Sequence, residues 1–168
     1  MKWLILAFVA NLVIAGAGHG RDAETDKVVA LINAEREIAG CPALVVNRQL
    51  EAAAQRHSES MAGQDFFGHV DPDGLKVAQR AEAAGYRWMM VGENISAGYV
   101  TADATVAGWM NSPGHRSNIL TCGFTETGVG HVYIPDDVGK VKYGHYWTQV
   151  FGRPMAEDRF GRPMAEER

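Results

Sequence analysis

Residues 128–151 read GVGHVYIPDDVGKVKYGHYWTQVF, and the fold class turns on them. Two runs, GVGHVYI (128–134) and YGHYWTQVF (143–151), are rich in β-branched and aromatic residues, and the polar PDDVGKVK joins them. Such runs bounded by Pro, Asp and Gly read as strands, and this connection makes them antiparallel neighbours. Further back, apolar residues recur at helical spacing instead. DKVVALINAEREIAG (26–40) puts Val28, Leu31, Ile32, Glu35 and Ile38 near one helix face. Thr25 or Asp26 can cap its start and Gly40 suits its end. PALVV (42–46) is a short extended segment. Asn47 then caps a second helix, RQLEAAAQRHSESMAG, with Leu50, Ala54, His57 and Met61 on its inner face. His57 there is either a satisfied core residue or a ligand.

A turn at Asp71-Pro-Asp-Gly74 closes DFFGHVDPDG (65–74). LKVAQRAEAAG (75–85) is a short third helix ending at a glycine. YRWMMVGENISAG (86–98) reads as a loop entering a strand. TADATVAGWM (101–110) is a fourth helix with Val106 and Trp109 or Met110 inward, and Pro113 stops or kinks it. Helices come first and strands last, without regular βαβ alternation. The expectation is α+β, helices packed on a central antiparallel sheet.

The two ends differ from this middle. MKWLILAFVANLVIAGAG places a lysine before about a dozen mostly apolar residues and then small ones, the layout of a secretory signal peptide. Cleavage is expected near Ala17, giving a leader over 1–17, and the apolar run is short for a membrane span. No stable membrane anchor is expected once the leader is removed. At the other end FGRPMAEDR (151–159) is followed by FGRPMAEER (160–168). Arg153-Pro154 should break the last strand. The expected domain is therefore 25–152, with 153–168 a disordered tail that has little to bury.

The chain carries 16 Lys and Arg against 20 Asp and Glu, a formal charge of −4. No basic patch stands out, which argues against nucleic acid and anionic membrane surfaces as partners. Cys41 and Cys122 are the two cysteines. Export would let them bridge, and without a bridge they are two buried thiols. A bridge over that separation contributes at most ~4.5 kcal/mol in the chain-entropy account.

No nucleophile elbow, zinc-protease helix or phosphate-binding glycine loop occurs. The polar residues that remain are His69 in FFGHVD, Glu93 in VGENIS and His115 in SPGHRSN. Each stands at an element boundary beside small or turn-forming residues. Converging imidazoles and a carboxylate would suit a divalent cation such as zinc, or proton transfer near neutral pH.

FFGHVDPDG, GENISAG, WMNSPGHRSNIL, TGVG and YWTQVFG occur in this order. Together they resemble the bacterial branch of the CAP superfamily, the cysteine-rich secretory, antigen 5 and pathogenesis-related 1 group, over residues 26 to about 152. The resemblance implies a three-layer α-β-α sandwich with a central cleft, usually secreted, so an extracellular or periplasmic location is expected. It also implies that AGC and LTC bring Cys41 and Cys122 together. In that family two histidines and two acidic residues line the cleft, sometimes with a divalent metal. His69 and Glu93 match the FFGH and GEN motifs. Ser112 stands where eukaryotic members carry a glutamate. Tyr146 stands where the second histidine belongs, and His145, one residue off, points to the opposite strand face. His115, one helical turn past Ser112, is the expected replacement, unless it only caps the helix end. His69, Glu93 and His115 are the expected metal ligands, and Arg116 should anchor their turn. Tyr146 should line the cleft. Glu126 either completes the acidic pair or is a solvated carboxylate before a strand.

The Asn94-Ile95-Ser96 sequon adjoins Glu93 and is discounted as a glycosylation site. Trp109, Tyr146 and Trp147 are read as core rather than as a stacking surface. The expected function is a secreted binding module whose cleft holds a divalent cation or a small lipid-like or cell-wall ligand. The competing expectation is a metal- or His/Glu-assisted hydrolase acting on peptide or cell-wall polymer.

Overall fold

The computed structural model describes residues 23–156. The expected leader and the second copy of the tail repeat lie outside the described residues. The elements are α1 (Ala23–Ile38), β1 (Val45–Val46), α2 (Arg48–Gly63), α3 (Val77–Ala83), β2 (Trp88–Ala97), α4 (Ala102–Met110), α5 (Pro113–Ile119), β3 (Glu126–Tyr133) and β4 (His145–Pro154). One four-stranded sheet runs β1-β3-β4-β2. The two long pairings are antiparallel, as expected. The short β1 instead pairs parallel with β3, at Val45–Glu126 and Val46–Thr127, so the sheet is mixed. Parallel neighbours need a long crossover, and everything from α2 to α5 lies between these two strands.

Helices cover both faces of the sheet. Along β4, Tyr146 and Val150 join the clusters under α2 and α3, while Trp147 and Phe151 join the cluster with α1, α4 and α5. A strand covered on both faces reads as one apolar run rather than an alternation. All four side chains are buried. The two glycines of GVG set the spacing of one layer. A side chain at Gly128 would meet the α2 backbone at Leu50–Glu51, and one at Gly130 would meet it at Ala54–Gln55. The helix backbone therefore rests directly on β3.

Local capping agrees with the sequence at α2, where Asn47 Oδ1 accepts from Gln49 N at 2.9 Å and Leu50 N at 3.3 Å. It does not at α1. That helix is already formed at Ala23, so Thr25 and Asp26 lie inside it instead of at its cap. Its inner stripe is Thr25, Val28, Ile32 and Arg36, and Ile38 is 83% exposed. Arg36 is fully buried because four carbonyls receive its guanidinium, those of Pro42, Ile119, Thr121 and Phe124, at 2.7–3.0 Å. Burial pulls its pKa below the ordinary arginine value. The same turn is held by the Cys41–Cys122 disulfide, with Cα atoms 4.9 Å apart.

Two further boundaries moved. Residues 86–98 are mostly a full strand, β2, entered through Gly85 at φ +86° and left through Gly98 at φ +84°. β4 does not break at Arg153-Pro154. Arg153 pairs with Met90 and Pro154 with Trp88, beside an irregularity in β2 between those two positions. A proline is tolerated at such a strand end. The structured domain thus runs at least two residues past its expected limit of 152.

Candidate functional site

β2 is an edge of the sheet, and successive residues on a strand face opposite layers. Glu93 faces the α2–α3 layer and Asn94 the α4–α5 layer. The segment after α2 carries His69 to the first. Asp71 Oδ1 shapes that segment by accepting from Asp73 N at 3.1 Å and Leu75 N at 2.8 Å, with Gly74 at φ +83°. From α3, the Arg80 guanidinium donates to Leu75 O at 2.6 Å and to His69 O at 3.1 Å. From α2, His57 Nε2 stands 3.0 Å from Gly68 O. A carbonyl only accepts, so His57 carries its proton on Nε2.

Glu93 is the centre of this cluster, with its side chain 2% exposed. Its Oε1 lies 2.8 Å from His69 Nδ1, and its Oε2 accepts from Arg80 Nη2 at 2.6 Å. His57 Nε2 is 4.0 Å from Oε1. Burial holds the His57 imidazole below its ordinary pKa, against the pull of the Glu93 charge. The His69 side chain is 55% exposed. Its Nδ1–H is committed to the carboxylate, so Nε2 is the nitrogen presented outward.

The other layer supplies His115. Pro113 is the first residue of α5, where its missing N–H costs nothing. The break after α4 therefore turns the chain and restarts a helix. Two asparagines dock that helix on β2. Asn94 Nδ2 donates to His115 O at 3.1 Å, and Asn118 Nδ2 donates to Glu93 O at 3.0 Å and Asn94 Oδ1 at 2.9 Å. Asn94 is fully buried, which agrees with discounting its sequon. Burial lowers the pKa of His115, and so does nearby His69. His69 and His115 thus dock on adjacent residues of β2, Glu93 and Asn94, from opposite layers.

Glu126 and Tyr146 are not part of this cluster. Glu126 Oε2 accepts from Tyr86 O–H at 2.7 Å and Asn47 Nδ2 at 3.3 Å, beside β1. Burial and that carboxylate push the Tyr86 pKa up. Tyr146 is fully buried, and its hydroxyl donates to Asp137 Oδ2 at 2.5 Å and lies 3.1 Å from Val141 O. Burial and Asp137 raise its pKa to about 12. The Arg116 side chain is exposed and anchors nothing among the described residues. His145 pairs with Tyr133 on the face opposite Tyr146, as its position in the strand requires.

Sequence reasoning missed Arg80, while His57 is the buried core residue that one of its two readings expected. Arg80 did leave a signal. Val77 and Ala81 mark the inward stripe of α3, and Arg80 falls within it.

Residues 29–151 match the sequence model of the cysteine-rich secretory protein family, CAP. The chain belongs to the CAP family. It is 37% identical over 125 residues to the uncharacterized protein YkwD of Bacillus subtilis (strain 168), covering 74% of this chain and 45% of that protein. It is 34% identical over 104 residues to the uncharacterized membrane protein YlbC of the same organism, covering 62% of this chain and 30% of that one. The chain thus spans less than half the length of the curated relatives it matches. Among solved structures it is similar to an extracellular protein containing a SCP domain from Bacillus anthracis. That match has TM-score 0.68 and 30% identity, over 77% of this chain and 40% of that one. An outer surface protein from Borrelia burgdorferi shares the fold, with TM-score 0.70 and 18% identity, over 82% of this chain and 98% of that one.

Within this CAP domain the donors do not form a three-residue metal cage. No three His, Cys, Asp or Glu groups among the described residues are placed to hold an ion together. Both Glu93 oxygens are engaged, so Glu93 suits the outer shell, orienting His69, better than it suits a ligand position. The donors that fit a divalent cation are the outward His69 Nε2 and the neighbouring His115.

Proposed function

We propose that this CAP domain is an exported binding module. Its edge cleft holds a divalent cation such as zinc through His69 and His115, together with a small lipid-like or cell-wall ligand. The observation that carries the reading is the 2.8 Å contact from His69 Nδ1 to a Glu93 whose other oxygen is held by Arg80. A buried carboxylate behind an exposed imidazole fixes the tautomer and aims Nε2 outward, which is how ligating histidines are prepared. The exposed side chains of Phe67 and Val70 beside His69, with Tyr143 in edge-to-face contact with Phe67, supply an apolar rim for a ligand. The leader-like start and the bridged cysteines support export.

Calorimetric titration with zinc at pH 7.5 and 5.5 tests the reading. Affinity should fall at the lower pH, because binding needs unprotonated imidazoles. It should also fall at least about tenfold in His69→Ala and in His115→Ala. Binding indifferent to both substitutions places the cation elsewhere.

A second reading draws on the same contact. A carboxylate-oriented, half-exposed imidazole is also the arrangement of a general base. Hydrolysis of a peptide or cell-wall polymer by the wild type, lost in Glu93→Gln, would favour the hydrolase.

A further inference from the structure

Another pair of imidazoles stands on the sheet face opposite Glu93. In the β3–β4 register His131 lies opposite Trp147 and His145 opposite Tyr133, so the two histidines are diagonal neighbours. His131 Nε2 and His145 Nδ1 are 3.0 Å apart. Their ring planes differ by 5° and their centroids are 5.3 Å apart. Rings so disposed meet edge to edge in nearly one plane, nitrogen to nitrogen. Each has an aromatic neighbour. Trp147 lies against His131 with centroids 3.7 Å apart, and Tyr133 against His145 at 4.4 Å. Gln55 fixes the backbone beneath, accepting from His131 N at 3.1 Å and donating to His131 O at 3.2 Å.

The geometry points to a second site: His131 and His145 form a two-imidazole chelate for a late first-row divalent cation, Cu2+ or Zn2+. Two nitrogens each about 2.0–2.1 Å from one ion, at angles between square and tetrahedral, stand roughly 2.9–3.4 Å apart. The observed 3.0 Å lies in that range. Without an ion the two nitrogens share one proton, and the cation takes its place. Turning both lone pairs onto one ion needs each ring to swing by roughly 40°. A swing within the common plane keeps both rings against their aromatic neighbours. Imidazole donors suit copper and zinc, and copper(II) leads the affinity order. With no third His, Cys, Asp or Glu joining the two among the described residues, water fills the remaining positions and binding is modest. The site is independent of the cleft, because its donors lie on strands β3 and β4 and face the other layer.

The test is calorimetric titration of the full chain with Cu2+ and with Zn2+ in a His69→Ala/His115→Ala background. Expected is one bound equivalent, weakened at least tenfold when His145→Gln is added. His131→Gln, added instead, gives a second arm if the first variant folds poorly by circular dichroism. In the background variant, paramagnetic broadening by Cu2+ should reach the Tyr133 and His145 resonances first. Binding that survives both added substitutions overturns the proposal. So does a background variant that binds no ion while the wild type binds one, an outcome that leaves the cleft reading intact. A wild type that binds neither ion ends both.

Discussion

At the β2 edge an exposed imidazole leans on a buried charge, whereas across the sheet two half-buried imidazoles lean on each other. His69 is oriented by Glu93, and Glu93 is in turn matched by Arg80. His131 and His145 meet nitrogen to nitrogen instead, each against an aromatic ring. The first arrangement fixes one tautomer and one outward nitrogen. The second leaves the proton's place to be taken by an ion. The energetic stakes differ as well, because a buried charge stripped of its partner costs far more than a lost neutral hydrogen bond.

The largest expected effect follows from that contrast. Arg80→Met strands the Glu93 carboxylate in its buried site and should cost about 3–5 kcal/mol in urea unfolding. Adding Glu93→Gln to it should restore a substantial part. A loss below about 1 kcal/mol for Arg80→Met would mean that water reaches Glu93, and the two regions would then be alike.

Next in size is a pH effect. Burial lowers the His57 pKa in the fold from its ordinary 6.5. Between the folded and unfolded values the unfolded chain binds the extra proton. Stability is therefore complete above about 6.5 and is lost as pH falls below it, by at most about 1.4 kcal/mol per pH unit for one group. Unfolding of His57→Gln, measured from pH 7.5 to 5, should show a flatter slope than wild type. An equal slope would assign the proton uptake to other groups.

A smaller loss is expected on the neutral side. His145→Gln should cost about 0.5–1.5 kcal/mol at pH 7.5, the range for a neutral hydrogen bond. A cost near that of Arg80→Met would reveal a charge in the pair. Smallest is His69→Ala. At 55% exposure, its hydrogen bond to Glu93 is largely screened by water and its loss should cost no more than about 1 kcal/mol. Any larger drop would make His69 a structural residue first.

Features that depend on neighbours in sequence were legible before the fold was known. The Asn47 cap, the left-handed Gly40 after α1, the Asp71–Gly74 turn and the two long strands are written within a few residues of each other. Local sterics and short hydrogen bonds decide them whatever packs around. The FFGH and GEN motifs likewise named His69 and Glu93, and the structure puts them in contact. What a side chain meets across the molecule was not legible. Periodicity alone could not show that Arg36 would find four carbonyls and Ile38 none of the core, because that depends on where the turn after α5 returns.

The same division runs through the site. The sequence determined which chemical groups were available: two histidines and a carboxylate beside small or turn-forming residues, and a proline that ends one helix and starts the next. Only the tertiary structure decided their roles. Glu93 became an orienting group because α3 brings Arg80 to its second oxygen. Glu126 and Tyr146 were drawn to Tyr86 and Asp137 instead. His145 acquired His131 as a partner through the register of two strands. In each case a buried polar group is held by whatever donor or acceptor the packing delivers, and the cost of leaving it unpaired makes that partner, not the sequence position, set its role.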